Sequence, residues 1–152
     1  YQMAEIEWRR AGNRLDGMMA VTHYAAMYYP ARVLGDPVLW PRLRAELLEY
    51  YQTDTAEDSL IAQWLPCVLF DQREQLPTVH VPMHVIAFEQ DVQAVPQDGE
   101  EVAALVPGAE LHLFEGMGHC SIYGHTQDIL NPFIDGLLRR YLTPRILEPD
   151  GS

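Results

Sequence analysis

Hydrophobic positions recur at helical spacing up to about residue 70, and beyond it they gather into short unbroken runs. Leu39, Trp40, Leu43, Leu47, Leu48 and Tyr51 follow Asp36-Pro37, an N-cap residue with proline at the first helical position, and this spacing predicts a helix. Leu60, Ile61, Trp64, Leu65, Val68 and Leu69 predict another. It is preceded by Thr55-Ala56-Glu57-Asp58, a capping box with aspartate in place of glutamate. Between Leu15 and Tyr29, the residues Met18, Met19, Val21, Tyr24, Met27 and Tyr28 predict a third helix. It should stop near Pro30, because the residue before a proline avoids helical angles.

After Asp71 the pattern changes. Val81-Pro82 leads into the apolar run 83–88, whose length suits a strand buried on both faces, with proline tolerated at its entrance. Val102, Ala103, Leu105 and Val106 then predict a short helix, Pro107-Gly108 a turn, and residues 110–114 a second strand. A strand, a crossover helix and a strand imply a parallel pair. Two parallel strands do not make a stable sheet alone, so further strands are expected from outside this chain. Ile129, Leu130, Phe133, Ile134, Leu137, Leu138 and Tyr141 predict a last amphipathic helix, kinked at Pro132 or starting after it. The tail from Thr143 is expected to be loose.

The chain has 152 residues and a formal net charge of −12 with its acids dispersed, a surface that repels nucleic acid and anionic membranes. No apolar stretch reaches the roughly 20 residues that span a bilayer, and a cytoplasmic protein is expected. All ten basic residues are arginine, which reads as the base-composition bias of a GC-rich bacterial genome. Cys67 and Cys120 are too few for a disulfide scaffold, so reduced thiols are the default and a Cys67–Cys120 bridge the alternative. The sequence opens at Tyr1-Gln2-Met3-Ala4, and a preceding segment is expected.

Candidate chemistry lies at the ends of the two strands. The first runs into Glu89-Gln90-Asp91 and the second into Phe114-Glu115-Gly116-Met117-Gly118-His119. An acid and then a histidine, each on the loop leaving a strand, are the second and third members of a Ser…Asp…His triad in one known chain order. The first member is missing. The three serines, Ser59, Ser121 and Ser152, all lie outside any G-x-S-x-G turn.

From about Leu76 to Leu142 the sequence resembles the α/β-hydrolase family. The resemblance rests on Val81-Pro82, the 83–88 strand, Asp91, the helix after Pro96, the Pro107-Gly108-Ala109 turn, the 110–114 strand and Gly118-His119. It implies an α/β fold: the C-terminal part of an α/β-hydrolase, with a helical cap over residues 1–75, core residues 76–142 and a tail over 143–152. The parallel sheet would be completed by strands of the N-terminal half, which would also carry the nucleophile. Asp91 would support His119 as general base and then general acid, since imidazole takes up and returns a proton near neutral pH. Glu89 is the second candidate for the acid, because the proline after Asp91 falls one residue later than the commonest family spacing. The implied activity is hydrolysis of a small, apolar ester, lactone or related acyl substrate without a cofactor. The alternative is an inactive, hydrolase-like binding or scaffold protein.

Met27, Tyr28, Trp40 and Trp64 are candidate substrate-binding residues beneath the cap, although such spacing is more often ordinary core. Cys120 is not placed as a nucleophile, because Gly-His-Cys-Ser is not a nucleophile elbow. His80, His84 and His112 do not form a ligand pair on one helical face, and no metal site is expected. His125 either faces the pocket mouth or caps the following helix, and the second is preferred.

Overall fold

The computed structural model describes residues 1–52, 57–122 and 125–146. It forms two compact units, Tyr1–His119 and Cys120–Ser152.

In the first unit, five α-helices among the described residues precede the strands: α1 (Gln2–Arg10), α2 (Gly17–Tyr28), α3 (Ala31–Leu34), α4 (Leu39–Gln52) and α5 (Glu57–Leu69). Capping follows the sequence closely. The Asp36 carboxylate accepts the Val38 and Leu39 N–H groups at 2.8 Å each, which holds it below the usual carboxylate range. Asp16 caps α2 by accepting the Met19 N–H, and α2 ends at Tyr28, two residues before Pro30. The capping box proposed for α5 begins in residues 53–56, outside the described residues. Helices α2 and α4 pack together, as do α1 and α5. Their apolar sides bury Ile6, Val21, Tyr24, Ala25 and Leu43, and α3 buries Val33, whereas Met18, Met19 and Leu69 face solvent.

A buried polar network ties α1 to α2. Arg9 Nε donates to Glu5 Oε1 at 3.1 Å, Tyr24 Oη donates to the same oxygen at 2.6 Å, and an Arg9 terminal nitrogen donates to Tyr24 Oη. Burial alone would raise the Glu5 carboxyl. Hydrogen bonds from Tyr24, Tyr1 and Arg9 outweigh it and hold the group below its ordinary value.

The strand segment contains β1 (His84–Phe88), α6 (Pro96–Leu105) and β2 (Glu110–Phe114). The strands pair in parallel, with His84 opposite Glu110, Ile86 opposite His112 and Phe88 opposite Phe114. Among the described residues these two strands make up the sheet. Helix α6 packs on both strands, and it approaches so closely that a Cβ on Gly99 would lie 3.2 Å from the Ala87 methyl. That contact assigns α6 to the face carrying Val85, Ala87 and Leu111.

In the second unit, α7 (Gln127–Ile146) runs unbroken past Pro132. The expected later start is therefore corrected: Pro132 lies in the helix's second turn, so the carbonyl four residues earlier is the only intrahelical acceptor it forgoes. The helix extends to Ile146, which makes 143–146 helical, while 147–152 lie outside the described residues. The Thr126 carbonyl accepts the Ile129 and Leu130 N–H groups, and its hydroxyl donates to the Ser121 carbonyl. Thr126 thus occupies the capping position proposed for His125.

Candidate active site

Asp91 and His119 meet at the C-terminal ends of β1 and β2. The β1 chain turns immediately after Phe88: Asp91 N–H donates to the Phe88 carbonyl at 3.1 Å and Gln90 N–H to the Met117 carbonyl at 2.8 Å, stitching the two loops together. The Asp91 side chain is only 5 % exposed. Its Oδ1 accepts the Gln93 and Ala94 N–H groups at 2.8 and 3.0 Å, an Asx-type turn that fixes the carboxylate. His119 Nδ1 lies 2.9 Å from Oδ2 and 3.2 Å from Oδ1. A carboxylate only accepts, so Nδ1 carries the shared proton, and in the neutral imidazole Nε2 keeps its lone pair. The imidazole is 36 % exposed, which leaves a buried acid behind an accessible base.

Glu89 has a different job. Its Oε2 accepts the Gly116 N–H at 2.7 Å, closing the histidine loop onto the acid loop. Gly116 adopts φ = 64°, a left-handed conformation natural to glycine. Arg32 Nε donates to the Gly116 carbonyl at 2.9 Å. At Gly118 a Cβ would come within 3.0 Å of Pro30 Cδ and 3.1 Å of the Tyr28 carbonyl oxygen. The histidine loop therefore rests directly on the segment between α2 and α3.

Tyr28 closes the site. Its ring stacks on His119 with centroids 5.7 Å apart and planes 23° from parallel, while its other neighbours include the Tyr24 ring at 5.7 Å. Of the four residues proposed to bind substrate, Tyr28 thus meets the histidine itself. Met27 and Trp40 are half-buried on α2 and α4, and Trp64 lies beneath the Arg9 guanidinium at 5.2 Å. A cavity of about 330 Å³ lies elsewhere in the helical segment, lined by Tyr1, Ala4, Glu5, Trp8, Leu15 and His23. None of the four candidates lines it. Ser121 is fully buried, Ser59 is exposed on α5, and Ser152 lies outside the described residues. Among the described residues neither Cys67 nor Cys120 is in a disulfide.

The structure also brings together groups that helical periodicity could not. His84 Nδ1 and His112 Nε2 lie 3.0 Å apart across the strand pair, beside the Glu110 carboxylate. The strand register was the signal: it sets His84 opposite Glu110 and so puts His112 one same-face step away.

No family model and no curated relative matches the sequence. Solved structures do match its fold. BpoC, a candidate non-heme bromoperoxidase from Mycobacterium tuberculosis H37Rv, is 20 % identical with a TM-score of 0.76 over 93 % of this chain and 51 % of that one. The enol-lactonase from Burkholderia xenovorans LB400 is 20 % identical with a TM-score of 0.70 over 90 % of this chain and 50 % of its own. MGS-M2, an α/β-hydrolase from a Medee basin deep-sea metagenome library, gives 20 %, 0.70, 99 % and 52 % for the same quantities. The chain spans about half the length of these structures. It has the α/β-hydrolase fold, over a span consistent with that fold's C-terminal half.

Proposed function

We propose that residues 1–152 form the C-terminal part of a hydrolase acting on a small, apolar ester, lactone or related acyl substrate, with Asp91 and His119 completing a triad. The Asp91–His119 pair carries this reading. With Nδ1 engaged by the buried carboxylate, Nε2 is the atom that removes a proton from a nucleophile and then returns it to the leaving group. Asp91 holds the imidazole in that tautomer and stabilises the charge that develops on it. The stacked Tyr28 ring restricts rotation of the imidazole. The nucleophile and oxyanion donors are assigned to the N-terminal half, and residues 1–75 to a cap beneath which Met27, Tyr28, Trp40 and Trp64 face the substrate. Lactone and ester chemistry is favoured by likeness to the enol-lactonase and to Est816, titled an N-acyl homoserine lactone degrading enzyme.

His119→Ala in the full-length protein tests the proposal. Turnover of short-chain esters or lactones should fall by about 10⁴-fold with the circular dichroism spectrum unchanged. Near-normal turnover would remove His119 from the mechanism. A serine-directed phosphonate should label the wild-type protein, and its failure to do so with activity intact would replace serine by another nucleophile.

A further inference from the structure

The β1–β2 pair carries a second cluster of chemically competent side chains, at the end opposite Asp91 and His119. Side chains alternate along a strand, so His84 on β1 and Glu110 and His112 on β2 share one sheet face. His84 and Glu110 are direct register partners, and His112 sits one same-face step along from Glu110. His84 Nδ1 is 3.0 Å from His112 Nε2. Glu110 Oε2 is 3.7 Å from the first and 3.9 Å from the second. These three atoms form a compact triangle.

We propose that His84, His112 and Glu110 bind a first-row divalent cation of the Zn²⁺ type, which clamps the two strands together at their N-terminal ends. The dimensions fit. Ligand atoms about 2.0–2.1 Å from a tetrahedral zinc lie roughly 3.3 Å from one another, and the observed edges of 3.0, 3.7 and 3.9 Å bracket that value. A cation at the centre of this triangle requires adjustments of a few tenths of an ångström, within the freedom of the exposed Glu110 side chain. Donor chemistry points the same way. Two imidazoles and one carboxylate suit zinc or another first-row metal, whereas Mg²⁺ and Ca²⁺ call for a shell of oxygens. Burial supplies the pre-organisation: the His84 and His112 side chains are 11 % and 19 % exposed, and Glu110, at 53 %, leaves a path for the ion and a place for water as fourth ligand.

Binding changes the protons in a definite way. In the metal-free pair one ring nitrogen donates to the other, so one proton lies between them. Both nitrogens must offer lone pairs to the metal, and that proton therefore moves to the remote nitrogen of its own ring or, where that nitrogen is already protonated, leaves for solvent. The site is independent of the hydrolase reading. Strands of five residues separate it from the Asp91–His119 pair by roughly 13 Å along the sheet, too far for the ion to touch the reacting atoms.

Zinc titration of the full-length protein carrying His119→Ala, which removes the catalytic imidazole as a competing ligand, provides the test. One equivalent of Zn²⁺ should bind by calorimetry and raise the melting temperature, and Mg²⁺ and Ca²⁺ should do neither. Adding His84→Ala or His112→Ala should weaken zinc binding by more than the 10–100-fold typical of losing an outer-shell partner. Glu110→Gln, at an exposed position, keeps the test informative if a histidine variant fails to fold: it should weaken binding about 10-fold or more while the metal-free melting temperature stays the same. Absence of zinc binding, or binding unchanged by Glu110→Gln and by the histidine variants that fold, would leave the two histidines as a hydrogen-bonded pair and overturn the proposal.

Discussion

The two ends of the β1–β2 pair present the same side-chain separation with different chemistry. At the C-terminal end His119 meets Asp91, and at the N-terminal end His112 meets His84, each pair 28 residues apart in sequence. The first pair is held by loops: an Asx turn fixes the acid, Glu89 and Arg32 fix Gly116, and Tyr28 covers the imidazole. The second is set by strand register, with His84 opposite Glu110 and His112 one same-face step further along β2. Loops can aim one side chain at another and leave a face open. Strand register brings like groups together without choosing their partner, which suits a passive ligand set better than a base that must be oriented.

The largest effect expected from breaking this comparison is on turnover. Asp91→Asn in the full-length protein should lower it by about 10⁴-fold through the wrong imidazole tautomer, with Zn²⁺ affinity at the other strand end unchanged. Glu89→Gln, which keeps an oxygen for the Gly116 N–H, should cost far less. If steady-state kinetics rank the two variants the other way, Glu89 is the acid.

Gly118→Ala comes next. The added methyl meets the Tyr28 carbonyl and the Pro30 ring, so the histidine loop or the α2–α3 segment must shift. A displacement approaching 1 Å would lower turnover by up to about 100-fold, and the overpacking should cost about 1–3 kcal/mol in a denaturant melt. Wild-type kinetics from this variant would mean that the loop tolerates movement that the stacked arrangement forbids.

Tyr24→Phe probes the helical support at the C-terminal end, where Tyr24 stacks on Tyr28 and Tyr28 on His119. It removes the hydroxyl that joins Glu5 and Arg9 and should destabilise the protein by about 1–3 kcal/mol, read as a lower urea midpoint. The smallest effect is acid-dependent. Glu5 titrates below its ordinary 4.5 in the folded state, so its stabilisation is complete above that pH and is lost as pH falls through the lowered value. The melting temperature should decline below pH 4.5 less steeply in Glu5→Gln than in wild type, and identical slopes would show that Glu5 is not the group responsible.

Local chemistry was legible in the sequence and long-range register was not. The span of β2, the Asp36 helix start, and the loop positions of Asp91 and His119 all follow from residues close together in the chain. Helices α1 and α3 escaped because one has few apolar residues and the other is four residues long. The Glu5–Arg9–Tyr24 network and the His84–His112 pair each join residues whose proximity is decided by packing or by which strand residues face each other. Pro132 misled for a related reason: proline disrupts a helix through a missing donor, and that matters little in the opening turns.

Gly116 is gripped on both sides of its own backbone, its N–H by an acid from the β1 loop and its carbonyl by an arginine from α3. A residue with the widest torsional range in the protein is thus stripped of that range by opposite charges three positions before the histidine. Salt should loosen this grip, because both partners are exposed and their charges are screened by ions. Ionic strength then becomes a dial on the aim of the imidazole, one that reaches the chemistry without competing for the substrate.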